Sequence, residues 1–352
     1  MRTWRKWRTF CTISAALLVA CLAASVVLVG CSGGSSGESK HVVVYNSPPE
    51  WANWGEVLKA FSEKTGIQAT PDNKNSGQTI TALMAERQKP AADAAYFGIT
   101  FAYEALEHDL LDSYKPEGFD EIPDDLKDPE GRWFTIHYGA IAFLVNTEAL
   151  GDVPIPRSWN DLLKPEYAGK VAFLDPSSAA IGYSVVTAAN LAMGGTLDNW
   201  DPGIAYLKKL AAQGLENPKQ TSTARLIKGE IPILIDADFN GYRPKIVDGA
   251  PIEVVIPEEG TLKIPYVIGL VKGAPRPDAG KKLLDFVLSE EGQKLWASGF
   301  VQPIREGMVP DDVAAEMLSA TDYERAMSVD YLKMQQVQDE FTERWLNEVI
   351  TK

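Results

Sequence analysis

The chain has 352 residues, with 34 Lys and Arg against 48 Asp and Glu, for a formal net charge of −14 at pH 7. That acidic balance argues against a nucleic-acid partner, whose phosphates it would repel; acidity by itself mostly serves solubility and points to no ligand. The three cysteines are Cys11, Cys21 and Cys31, so everything after them lacks a disulfide, a thiolate metal site and a Cys nucleophile.

The opening residues, MRTWRKWR, carry Arg2, Arg5, Lys6 and Arg8 and no acid, and an apolar run from Phe10 to Gly30 follows. A basic start, an apolar middle and a small residue before a cut are the marks of a secretory signal. The run is also long enough to cross a bilayer, so a plain membrane anchor is the alternative. LVGC, Leu28 to Cys31, resembles the lipobox of bacterial lipoproteins, in which the cysteine is lipidated and becomes the new N-terminus. The resemblance implies a signal peptide over 1–30 and membrane attachment through a lipid on Cys31. The Gly- and Ser-rich stretch after it has no apolar surface to bury and reads as a flexible tether over 31–40. Losing residues 1–30 leaves 322 of the 352 and, with four positive charges gone, takes the formal charge from −14 to −18. A body of that length suits two lobes better than one small core.

HVVVYNS, from His41, is a β-branched run halted by Asn and Ser: a buried strand and a loop. Trp54, Val57, Leu58 and Phe61 recur at helical spacing before Gly66, which predicts an amphipathic helix with a glycine cap. IQAT is a second strand. Ser76 is a natural N-cap for a helix whose Ile80, Leu83 and Met84 share a face. DAAYFGI is a third strand and TFAYEALEHDLL a third helix. This rhythm is that of a parallel sheet covered on both faces. Trp133 to Asn146 is a long β-rich stretch. The rhythm then returns: GKVAFLDPSS is a strand followed by a helix from about Ser178, TSTARLIKGE a helix ended by Gly229, IPILIDADFNGYRPK a strand breaking into a loop, and IEVVIPEEGT another strand. After IPYVIGLVKG come two helices, PDAGKKLLDFVLS and EEGQKLWASG, and a helical tail from Asp311.

VLKAFSEKTGI, VPIPRSWNDLLKPEYAGKVAFLDPSS, VIPEEGT and APRPDAGKKLLDFVLSEEGQKLWASGFVQPIRE, in that order, resemble bacterial extracellular solute-binding proteins of ABC importers. The nearest branch is the one often labelled ferric-iron binding. The resemblance covers nearly all of the chain beyond the tether. It implies an α/β, two-lobed, type 2 periplasmic-binding-protein fold. Lobe 1 would comprise 41–139 and 264–310, lobe 2 140–263, and C-terminal helices 311–352. Two β crossovers would join the lobes, the outward one near Ile136 to Val145 and the return near Ile264. It further implies an extracytoplasmic monomer that hands a small-molecule solute to permease and ATPase subunits, with no cofactor.

In open α/β sheets ligands sit beyond the carboxyl ends of strands, and four loops lie there. The first offers Tyr45, Asn46, Ser47 and Trp51; Trp51 could equally be a packing residue. The second offers Ser76, Gly77 and Gln78 at a helix start, an anion site or a plain cap. The third offers Ser177 and Ser178 in the same way. The fourth, DADFNGYR, holds Asp236, Asp238, Phe239, Asn240, Tyr242 and Arg243, too polar a strand end to be mere core. Thr100, just past the third strand, and Tyr266 on the return crossover complete the set. The ferric branch carries a motif resembling YYWYR and a histidine soon after YN. Here Phe239 and Asn240 stand where the tyrosine pair would be, and Pro48 and Pro49 follow YNS. Fe(III) needs anionic oxygens that Phe and Asn cannot supply, so no metal site is expected, and a ferric-iron binding protein of the same system is kept only as an alternative beside a polyamine. Two helix starts and Arg243 suit an anionic or zwitterionic organic solute, such as a sugar phosphate or aminophosphonate. Asp236, Asp238, Glu50 and the aromatics suit a polyamine as the alternative. A ligand-binding sensor would share the fold. A hydrolase using Asp236 and Asp238 is the least supported class, with no Ser–His pairing or phosphate-cradling loop.

Overall fold

The computed structural model describes residues 40–219 and 222–350, so the expected signal peptide, the lipidated Cys31 and nearly all of the tether lie outside the described residues. Strand β1 (His41–Tyr45) leads to helix α1 (Trp54–Thr65), β2 (Gln68–Thr70), α2 (Ser76–Ala85), β3 (Ala94–Gly98), α3 (Ile99–Glu107) and β4 (Leu111–Asp112). In β1, Val42 and Val44 alternate into the core and are fully buried. Helix α1 buries Trp54, Val57, Leu58 and Phe61, and Gly66 closes it at φ 69° by donating to the Ser62 carbonyl, a left-handed position that glycine takes without strain. Helix α2 is capped one residue earlier than its sequence suggests. The Asn75 side chain accepts from the Gln78 N–H, and the Gln78 side chain accepts from the Asn75 N–H.

The chain then runs through β5 (Phe134–Asn146), α4 (Thr147–Leu150), β6 (Val171–Ala172), α5 (Ala180–Ala192), α6 (Asp201–Ala212), α7 (Thr223–Ile227), β7 (Ile233–Ala237), α8 (Phe239–Ile246), β8 (Ile252–Val255) and β9 (Thr261–Val271). Helices α9 (Pro277–Leu288) and α10 (Glu290–Ser298) and strand β10 (Gln302–Pro303) follow. The tail holds α11 (Asp311–Glu316), α12 (Ala320–Tyr323), β11 (Ala326–Met327), α13 (Tyr331–Gln336) and α14 (Gln338–Arg344). Other features depart from the sequence reading. Helix α6 was not foreseen, and FNGYR is not a loop but the start of α8. Asp238 already has helical dihedrals and its carbonyl accepts from the Gly241 N–H, so β7 turns into a helix without a connecting loop.

The sheet is mixed rather than parallel. Its order is β2-β1-β3-β9-β5-β7-β6. Strand β1 is parallel to β2 and β3, and β6 is parallel to β7, as βα repeats require. Strand β9 returns against the grain, antiparallel to both β3 and β5. Over Phe134 to Ala140, β5 pairs with β9; from Ile141 to Asn146 it pairs with β7 and β8 instead. The β5–β9 pair therefore carries the chain out to a second α/β lobe and back. The returning segment is fastened to the first lobe by Asp93. Its fully buried carboxylate accepts from the Val43 N–H at 2.8 Å, from the Arg276 N–H at 2.8 Å and from the Arg276 guanidinium at 2.9 Å.

At the waist between the lobes, Gly139 leaves room that no side chain could share. A Cβ there would stand 2.6 Å from Asp238 Oδ1 and 2.7 Å from the Phe239 ring. Asp238 Oδ1 accepts from the Ala140 N–H at 2.9 Å, and Oδ2 accepts from the Tyr323 hydroxyl at 2.5 Å. Tyr242 then donates to Tyr323 at 2.8 Å and accepts from the Leu318 N–H at 3.2 Å. The tail is thereby clasped to the waist. We expect Gly139→Ala to cost about 1–3 kcal/mol through overpacking. Thermal unfolding checks this, and a wild-type melting temperature would mean that the waist has slack.

Candidate functional site

A cavity of about 770 Å³ opens between the lobes, a size suited to a small organic molecule. Its floor is aromatic. Trp51, from the loop after β1, meets Phe239 of α8 edge-on at 5.1 Å and Tyr266 of β9 at 5.6 Å. Behind them Tyr266 stacks on Tyr96 at 5.1 Å and on His137 at 5.6 Å. The Trp51 indole N–H donates to the Tyr96 hydroxyl at 3.0 Å, which lies 2.9 Å from His137 Nε2. Burial pushes the His137 imidazole down to about 3, so it is neutral at ordinary pH. The Trp51–Phe239 contact joins the two lobes directly, because the loop after β1 belongs to one and α8 to the other.

Of the residues singled out from the sequence, Asn46, Trp51, Ser76, Phe239, Asn240, Arg243 and Tyr266 line this cavity. Asn46 adopts φ 60°, a left-handed conformation that Asn tolerates, and its amide donates to the Tyr96 carbonyl at 2.8 Å. The Ser76 hydroxyl accepts from the Gly98 N–H at 3.1 Å.

The others lie elsewhere, each for a visible reason. The Tyr45 hydroxyl turns to Glu86 at 3.0 Å, and burial together with that carboxylate raises it to about 12. The Ser47 hydroxyl donates to the Val44 carbonyl and accepts from the Asp72 N–H, closing the loop. Gly77 faces the Ser178 carbonyl from the opposite lobe at 3.4 Å, reckoned from the Cβ it lacks. Gln78 is engaged in the α2 cap. Thr100 lines a separate small recess with Lys263, Tyr331 and Met334. Ser177 is exposed and bonds to Asp175 at 2.6 Å. Ser178 lies just before the residues that do reach the cavity, Ala179 to Ile181.

Asp236 and Asp238 do not line the cavity; both are buried behind its wall. Asp236 Oδ1 accepts from the Ala237 N–H at 2.7 Å and from the Asn240 amide at 3.2 Å, while Oδ2 has no partner among the described residues. Asp238 holds the waist instead. The two carboxylates sit in separate hydrogen-bond sets, so they are not arranged as a catalytic pair. Burial raises each to about 6 against its hydrogen bonds.

Sequence reasoning missed Asn73, Lys74, Lys219, Thr223 and Asp248, which line the cavity along with Asn75 at the start of the second loop. The polar run DNKNSG ahead of α2 was the one signal available. Two helix starts meet here, α2 from one lobe and α5 from the other. The N-cap of α5 is Ala179, which has no side chain able to satisfy the first-turn N–H groups. Lys74 is paired with Asp72 at 2.7 Å. Lys219 and Arg243 have no carboxylate within ion-pair reach among the described residues, and Glu50 and Asp248 have no cation within that reach. The cavity thus offers donors and free cations, with two free acids also on its lining.

A family model for bacterial extracellular solute-binding proteins matches residues 90–333. A candidate 2-aminoethylphosphonate-binding periplasmic protein of Salmonella typhimurium is 30% identical over 269 residues, 74% of this chain and 77% of its own. The spermidine/putrescine-binding periplasmic protein of Escherichia coli is 26% identical over 321 residues, 85% of each chain. Among solved structures, the periplasmic binding protein AfuA from Actinobacillus pleuropneumoniae, with exogenous fructose-6-phosphate bound, gives a TM-score of 0.77 at 26% identity. That similarity covers 89% of this chain and 100% of the other.

The buried carboxylates carry a pH signature. A carboxyl raised from 3.8 to about 6 on folding holds a proton in the native state that the unfolded chain has lost. Its contribution is therefore full below pH 4 and falls as pH rises to about 6. For Asp236 the loss is about 2–3 kcal/mol at ~1.4 kcal/mol per unit. We expect Asp236→Asn to gain stability relative to the wild type between pH 4 and pH 7. Urea unfolding at the two pH values checks it, and parallel curves for the two proteins would contradict the shift.

Proposed function

The chain belongs to the bacterial extracellular solute-binding proteins, and we propose that the solute it captures for its importer is an anionic or zwitterionic organic molecule bearing a phosphate or phosphonate. Proteins of this family are extracytoplasmic, non-enzymatic components of ABC transporters, working with permease and ATPase subunits. The observation that carries the choice of solute is the convergence of the α2 and α5 starts with Lys219 and Arg243 on one cavity. Unsatisfied N–H groups at a helix start and a planar guanidinium both suit an oxyanion. The Salmonella relative, named for an aminophosphonate, and the AfuA complex with a sugar phosphate support the same class.

A polyamine is the second reading, favoured by Glu50 and Asp248 on the lining and by the E. coli relative. Ferric iron fits the donors less well. Tyr45 is turned to Glu86 and Tyr242 to Tyr323, which leaves Tyr266 as the one of these three phenols on the cavity.

Thermal-shift and calorimetric titrations of the purified protein with 2-aminoethylphosphonate, fructose-6-phosphate and spermidine test the assignment. A phosph(on)ate compound should raise the melting temperature, and Arg243→Ala should weaken its binding by about 2–4 kcal/mol, as for a charge-assisted contact in a closed site. Binding of spermidine alone, or an Arg243→Ala variant of wild-type affinity, would count against it.

We also propose that the protein is held to the membrane through a lipid on Cys31, on the strength of the LVGC motif. Cys31→Ser should abolish partition into detergent and remove the lipid mass from the mature protein. An unchanged mass and partition would exclude that anchor.

A further inference from the structure

The cavity floor differs chemically from the helix starts at its side. It carries three aromatic rings, an amide and, behind the amide, a carboxylate. We propose that this floor reads a cationic group on the solute, with Asn240 as the contacting acceptor and Asp236 as the positioning residue that holds it. The solute would then be a zwitterion, with its anion at the α2 and α5 starts and a primary ammonium on the floor. This narrows the phosphate or phosphonate reading above and rests on it.

Asn240 lines the cavity, and its side-chain nitrogen donates to Asp236 Oδ1 at 3.2 Å. That bond points the amide nitrogen at Asp236 with one of its two N–H groups and leaves the carbonyl oxygen as an acceptor with no partner among the described residues. An acceptor on a cavity wall selects a donor on the ligand. Asp236 is fully buried and forms no ion pair among the described residues, and its Oδ2 atom has no hydrogen-bond partner there. A buried carboxylate left this way is costly unless a cation approaches. The rings of Trp51, Phe239 and Tyr266 lie together on this wall, and an aromatic face attracts an ammonium and not a second phosphate. Glu50 and Asp248 on the same lining lend the same sign. A neutral sugar hydroxyl could reach Asn240 but would leave Asp236 uncompensated.

The test compares 2-aminoethylphosphonate with ethylphosphonate, which keeps the phosphonate and the two carbons but lacks the amine, by calorimetry on the wild type and on Asp236→Asn and Asn240→Leu. The wild type should bind the amine compound about a hundredfold more tightly, the range for a desolvated charge pair. Either substitution should shrink that preference about tenfold or more while shifting ethylphosphonate binding only about twofold. A merely structural role for Asp236 would weaken both ligands together. Equal wild-type affinity for the two phosphonates, or tight binding of fructose-6-phosphate without either phosphonate, would overturn the ammonium site and leave the anion reading intact. Failure of all three, with spermidine bound, would overturn both. The wild-type comparison decides even where a variant fails to fold.

Discussion

The antiparallel pairing of β5 with β9 is the constraint on which the rest of the molecule depends. One long strand leaves the first lobe and another returns, and they touch over Phe134 to Ala140 before β5 changes partners. Backbone groups in such a ladder must be paired or pay a desolvation penalty. The crossing therefore cannot drift, and every cavity residue is placed relative to it. Tyr266 and His137 lie in the paired segment itself. Gly139 brings β5 against Asp238 and Phe239, which sets the aromatic edge of α8 into the cavity. Backbone geometry at the waist thus fixes the distance at which Trp51 and Phe239 meet.

A chain of strongly negative charge can still build a site for an anion, because the two properties live at different ranges. Surface carboxylates are screened within about 8–10 Å at ordinary salt. The N–H groups of a helix start act within the first turn, together as roughly half a positive charge per helix, and in a cavity they work at lower effective dielectric. Local donors outweigh the distant surface. The same argument gives Asp236 its weight on the other side of the cavity, since a buried charge is screened least of all.

Much of the fold was legible in the residues themselves. Period and punctuation disclosed α1, the strands and the long β5, because burial of Trp54, Val57, Leu58 and Phe61 or of Val42 and Val44 leaves a mark every few residues. The antiparallel β9 in the centre of the sheet was not legible, since period says nothing about strand direction. Helix α8 was hidden because Asn240, Gly241 and Pro244 are weak helix formers, and it is Asp238 and packing against β8 that hold it. In the site, Asn46, Trp51, Phe239, Asn240, Arg243 and Tyr266 were found because polar or aromatic residues at strand ends are conspicuous. Tyr45, Ser47, Gln78 and Asp238 stay off the cavity for one physical reason. Their partners, Glu86, Asp72, Asn75 and Tyr323, claim the side chain first, and most of those partners lie far along the chain.

The hydrogen-bonded clasp from Leu318 through Tyr242 and Tyr323 to Asp238 also sets a timetable. Tyr323 lies 85 residues beyond the carboxylate it holds, and β9 must slot between two strands made long before it. A chain emerging N-terminus first can form β1, α1 and β3 locally, but its central sheet has a vacant place until β9 arrives, and its waist is loose until the clasp does. Contacts so distant in sequence are slow to form. A polypeptide still being made or threaded across a membrane is therefore unable to grip its cargo, and capture begins only once almost the whole length is out.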